Sequence, residues 1–172
     1  MNAREISLTA LFVALTAVSA QIEIPLGPVP FTLQVLMVLL SGLLLSARLG
    51  FLTQAIYLLA GAIGFPIFAG FTGGFAHLYG PTGGYLLAFP LASFIAGLFA
   101  ERFKNPYLWI AGSLLALGVI YLLGWLRLGL YLGGNFAKAL YIGVLPFVPV
   151  DTAKAILAVG IARAVKRALP EF

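Results

Sequence analysis

"PFVPVDTAKAIL" occupies residues 146–157 and sets an acid, Asp151, three positions before a base, Lys154, in an otherwise apolar stretch. Three positions apart on a helix, the two side chains share a face. Pro146 and Pro149 cannot continue a preceding helix, and proline suits the first turn of a new one. A helix is therefore expected from near residue 150, with a charged pair in its first turns. Whether that start lies in water or among apolar neighbours depends on the rest of the chain, and it decides the fold.

The rest of the chain is apolar. Of 172 residues, 62% are hydrophobic and 9% are charged, and the mean hydropathy is +1.10. Soluble domains are about 45–50% apolar and about 25% charged, and one of this length has too little interior to hide the surplus. The expected fold class is all-α, an integral membrane protein surrounded by the lipid bilayer. A span takes about 20 residues, which leaves room for about six and for no separate soluble domain. Apolar segments at about 5–22, 32–47, 51–63, 85–100, 107–126 and from 150 onward supply them. Residues 1–172 read as a single transmembrane domain.

The basic residues orient it. With six spans, Arg4, Arg48, Arg102, Lys104, Arg163, Lys166 and Arg167 fall on one side, and Arg127 and Lys138 on the other. Cytoplasmic loops carry the excess of Lys and Arg, so both termini are expected in the cytoplasm and the chain is read as multi-pass in the cell membrane. The N-terminal run could be taken for a signal peptide; its length and the acid Glu5 beside Arg4 favour a retained first helix.

Several function classes drop out. Cysteine is absent and His77 is the one histidine, which excludes disulfides, thiolate zinc sites and multi-His metal sites. The bases do not cluster with aromatics on a polar face, so no nucleic acid is expected. No Ser/His/Asp set and no second carboxylate accompany Asp151, so the chain does not read as an enzyme. Recognition of a small polar molecule fits better. Each charge costs roughly 2.5–3.5 kcal/mol to place in a membrane. The Asp151–Lys154 pair is then either a self-neutralising couple at the interface or a polar site facing the bundle interior; the second is favoured.

The outer connections are long and rich in Gly and Pro. "GFTGGFAHLYGPTGGYL" (70–86) holds six glycines. Gly73, Gly74, Gly83 and Gly84 could let backbone N–H groups turn toward a ligand, and "GPTGG" opens a helix whose N-terminus favours an anion. The alternative is a flexible hairpin. No Lys-Ser/Thr follows the glycines and no strand precedes them, so this is neither a P-loop nor a dinucleotide fingerprint. Tyr85 could stack on or hydrogen-bond to a ligand, and Gln54 lies in the outer half of the third segment. Thr32, Gln34 and Asn135 read as contacts between helices. His77 has no assigned role. Ala10 and Ala14, four apart on the first helix, form a small-residue face suited equally to packing inside the chain or to a partner.

"GPVPFTLQ" (27–34), "GAIGFPIFAG" (61–70), "GPTGGYL" (80–86) and "PFVPVDTAKAIL" occur in that order. With them the chain resembles, over nearly its whole length, the BioY family, the biotin-specific S components of energy-coupling factor (ECF) transporters. The resemblance implies a six-helix subunit that captures biotin from outside and has no cofactor of its own. Its implied partners are a transmembrane coupling subunit and two cytoplasmic ATPases, which hydrolyse the ATP. It implies further that Asp151 and Lys154 contact the ureido ring, that Gln54 and Tyr85 belong to the pocket, and that Ala10 and Ala14 dock the coupling subunit. Val150 departs from the family's more usual Pro-Gly-Asp. The chemistry agrees with these roles, since a ureido group offers two N–H donors and one carbonyl acceptor, which a carboxylate and an ammonium match. The valerate carboxylate could rest on the glycine loop, which would close as a lid. An S component for another vitamin, or a stand-alone secondary transporter, are the alternatives. The lack of an internal repeat counts against the latter.

Overall fold

The computed structural model describes residues 1–170 and 172. Among them are seven α-helices: α1 (Ala3–Gln21), α2 (Gln34–Leu45), α3 (Ala47–Ala62), α4 (Gly83–Arg102), α5 (Pro106–Tyr131), α6 (Phe136–Gly143) and α7 (Val148–Ala168). The fold is helical as expected, apart from one short pairing. Between α1 and α2, β1 (Glu23–Ile24) and β2 (Phe31–Thr32) pair antiparallel, with Glu23 opposite Thr32. The prolines between them forbid a helix, and two short extended pieces satisfy each other's backbone instead.

Local chemistry sets the helix ends. Asn2 and Glu5 close a reciprocal cap on α1: Asn2 Oδ1 accepts the Glu5 N–H at 2.8 Å, and Glu5 Oε2 accepts the Asn2 N–H at 2.9 Å. Asn105 caps α5 ahead of Pro106. Asn135, expected as a contact between helices, instead caps α6 by accepting the Lys138 N–H at 3.0 Å.

The apolar stretch after residue 126 differs most from expectation. α5 runs on to Tyr131, Gly133 and Gly134 turn the chain at positive φ, and α6 follows as a separate short helix. It meets α7 at a bend of 51°. Six expected helices are thus seven, because a capped turn splits the last connection. α1, α4 and α5 are long and apolar enough to cross a membrane, the bent α6–α7 pair is a fourth candidate span, and α2 and α3 are shorter, at 12 and 16 residues.

α2 is the central element. It packs on α1, α3, α4 and α7, and it is buried on almost every face, as an all-round apolar helix should be. At Gly42 a Cβ would run into the Ser93 carbonyl of α4, so these two backbones cross in contact. Leu39, Leu43, Ile120, Leu128 and Tyr57 are fully buried in the core. Leu, Ile, Val and Phe side chains cover the outside, among them Leu11, Val18, Leu115, Leu122, Ile156 and Leu157, a surface that suits lipid and not water.

Candidate functional site

α7 starts where the prolines allow. Pro149 lies in its first turn, where its missing N–H goes unused, and the Asp151 N–H makes a 2.8 Å bond to the Phe147 carbonyl. Asp151 thereby stands at the positive end of the helix dipole, with Lys154 one turn further along. Lys154 Nζ lies 2.8 Å from Asp151 Oδ1, and the two side chains are 10% and 4% exposed. The ammonium also donates to the Thr32 carbonyl of β2 at 2.6 Å. From α5, the Tyr121 hydroxyl donates to Asp151 Oδ2 at 2.7 Å. Three distant parts of the chain converge on one buried ion pair.

That cluster keeps unused capacity. An ammonium has three donors and a carboxylate about four acceptor positions. Two donors and two acceptor positions are occupied within the chain. Both side chains border a cavity of about 310 Å³. Its apolar walls include Val29, Val35, Leu86, Phe89, Ile120 and Phe147; Thr32, Gln34, Thr72, Thr82, Glu23 and His77 add polar groups. Phe147 stacks on Phe31, with centroids 4.2 Å apart. Phe68 meets Tyr57 edge-on at 5.7 Å and His77 at 6.0 Å. A buried ion pair is weak evidence for stability, since apolar replacements of equal volume are often neutral or better. One that opens spare donors and acceptors onto a hollow is equipped for recognition.

The profile of the BioY family matches residues 1–171. The chain belongs to the BioY family. It is 57% identical over 162 residues to the probable biotin transporter BioY of Pyrococcus horikoshii, covering 94% of this chain and 96% of that one. It is 46% identical over 165 residues to the biotin transporter BioY of Thermotoga maritima, covering 95% and 96%. A crystal structure of the S-component for biotin from an ECF-type ABC transporter superposes with a TM-score of 0.89 at 28% identity, over 97% of this chain and 95% of that one.

Of the BioY-type site residues read from the sequence, Asp151, Lys154 and Tyr85 lie together on the cavity. The Tyr85 hydroxyl donates to the Gly143 carbonyl at 2.6 Å, tying α4 to the end of α6 and leaving its ring for the cavity wall. Gln54 lies elsewhere: it is fully buried and donates to Thr16 Oγ1 at 3.2 Å and Ser41 Oγ at 3.0 Å. Gly73 and Gly74 lie in the loop and Gly83 and Gly84 open α4, and none of the four lines the cavity; Thr72, Pro81 and Thr82 beside them do. The Gly74 N–H is already bonded to the Gly61 carbonyl at 2.7 Å, with Gly74 at φ +106°, and the Gly83 N–H reaches the Gly80 carbonyl at 3.3 Å. A Cβ at Gly73 would strike the Phe65 carbonyl, and one at Gly84 the Leu123 carbonyl of α5. Gly73, Gly83 and Gly84 allow close packing, and Gly74 a left-handed turn.

The structure adds residues that the sequence reading left out. His77 lines the cavity, and so does Gln34, which also makes the expected contact between helices, its Nε2 donating to the Tyr57 hydroxyl of α3 at 2.6 Å. Tyr121 is the hydroxyl in the apolar run "LLALGVIYLLGWL" (114–126), a signal visible in retrospect. The Thr32 carbonyl has no sequence signal. Ala10 and Ala14 are exposed and border a separate apolar groove between α1 and α3, with Val13, Leu52 and Ile56; they do not pack inside the chain.

Proposed function

We propose that this chain is a high-affinity S component of an ECF-type transporter that captures biotin from outside the cell for uptake. The observation that carries the reading is the buried Asp151–Lys154–Tyr121 cluster opening onto an apolar cavity. The ureido N–H groups donate to the Asp151 carboxylate, and the third Lys154 N–H donates to the ureido carbonyl. The bicycle and alkyl chain rest on Phe89, Ile120, Phe147 and Leu86. The valerate tail points to the loop side, where Thr72, His77 and Thr82 stand. The positions of these residues on one cavity support the assignment.

Six crossings follow if α6 and α7 count as one broken span and α2 and α3 each cross as short ones. The distribution of Arg and Lys supports cytoplasmic termini in the cell membrane. The chain binds without catalysing. ATP is hydrolysed by two cytoplasmic partner subunits, and the transmembrane coupling subunit docks on the α1 face at Ala10 and Ala14. Calorimetric titration of the purified protein with biotin, alongside mass spectrometry of co-purifying small molecules, tests the reading. Biotin binding supports it; a different vitamin in the preparation, with no response to biotin, refutes it.

A further inference from the structure

Gln21 is the last residue of α1 and is not a wall of the cavity. Its side chain nevertheless makes three hydrogen bonds. Nε2 donates to the Ala17 carbonyl at 3.2 Å and to the Phe68 carbonyl at 3.0 Å, and Oε1 accepts the Phe71 N–H at 2.8 Å. One amide thus serves both an acceptor and a donor of the same turn, 47 and 50 positions along the chain.

That turn is a tight hairpin. Phe68 and Thr72 exchange backbone bonds of 2.9 and 3.4 Å. Between them Gly70 stands at φ +72° and Phe71 at φ +55°. A bulky residue keeps a left-handed backbone only when its surroundings hold it there. The bond from Phe71 N–H to Gln21 supplies such a hold. Phe71 itself is 72% exposed, so side-chain packing does not replace it. Phe68, Ala69 and Thr72 of the same hairpin line the cavity. A second tie comes from α3, where the Tyr57 hydroxyl donates to the Ile67 carbonyl at 2.8 Å. Tyr57 fixes the entry to the hairpin, and Gln21 fixes its tip.

We propose that Gln21 is a positioning residue that clasps the 68–72 hairpin shut against the cavity, setting how fast ligand leaves and not which ligand is chosen. The inference rests on the reading of the cavity as a biotin site. Opening this wall requires both bonds to the hairpin to break. Ligand selection stays with Asp151 and Lys154, which Gln21 does not touch.

The test compares wild type with Gln21→Ala in detergent, using biotin and its analogue 2-iminobiotin. Dissociation of biotin is expected to quicken by about tenfold or more, the range for losing two ordinary hydrogen bonds, with association within about twofold of wild type and the biotin-to-iminobiotin affinity ratio unchanged. If Gln21→Ala does not fold, Gln21→Glu takes its place: it still accepts the Phe71 N–H but has no donor for the Phe68 carbonyl, and the same direction is expected. Hydrogen exchange on ligand-free protein provides an independent arm, in which the Phe71 amide exchanges faster in the variant. Dissociation and exchange both at wild-type rates overturn the clasp and leave the biotin reading standing. Wild-type protein that binds no biotin overturns that reading, and the exchange result then decides the clasp alone.

Discussion

Two buried polar clusters in the bundle differ in what remains once their internal hydrogen bonds are made. The first joins α1 to α4. Gln54 donates to Thr16 and Ser41, and Ser41 lies 2.9 Å from Ser93. The Thr16 and Ser41 hydroxyls also reach the Phe12 and Val38 carbonyls. All four side chains are fully buried and none borders the cavity. This cluster turns inward and ties helices together, with Gln54 Oε1 its one orphaned acceptor. The second cluster, with Asp151 and Lys154 buried and Tyr121 half-buried, borders a hollow with donors and acceptors to spare. Among lipid-facing helices, polarity is buried either as glue or as a site. Burial alone does not separate the two uses; an adjoining void does.

The comparison breaks most easily at Asp151. Replacing it by Asn leaves Lys154 without its counter-ion and turns one acceptor into a donor. Biotin affinity is expected to fall by about 100-fold or more, as for truncating one partner of a buried charge pair; calorimetry reads it directly. Tyr121→Phe removes one donor that orients the carboxylate, and a loss of about tenfold is expected. Gln54→Leu sharpens the contrast. It should leave affinity within about threefold while lowering stability by about 1 kcal/mol, the scale of a polar tie between membrane helices, as seen in thermal or denaturant unfolding. Smallest of all is the effect of Ala14→Leu on affinity: binding is expected to stay at the wild-type value, while pull-down of the coupling subunit is lost because the groove beside α3 is filled.

Much of this was legible in the chain. Charge is so sparse here that Asp151 and Lys154 stand out, and the flanking prolines correctly mark a helix start. The six apolar segments match helices in the structure, with ends displaced by a few residues. What was hidden depends on contacts between distant segments. Gln54 and Gln34 are both glutamines in apolar surroundings, yet only Gln34 reaches the cavity; which face each presents depends on how α2 and α3 pack. The anchor for Lys154 is the Thr32 carbonyl, 122 positions away and independent of side-chain identity. The glycine loop looked like a bed of free N–H groups, but at Gly74 and Gly83 those groups are bonded within the chain. Counting glycines shows that a loop is tight, and not where its donors point.

The most direct test of the central claim is a crystal structure of the chain grown with biotin. Ureido nitrogens are expected about 2.7–3.2 Å from the Asp151 carboxylate, with the ureido oxygen at a similar distance from Lys154 Nζ. Biotin seated with its ring at the glycine loop or in the α1–α3 groove, and the Asp151–Lys154 pair untouched, would contradict it.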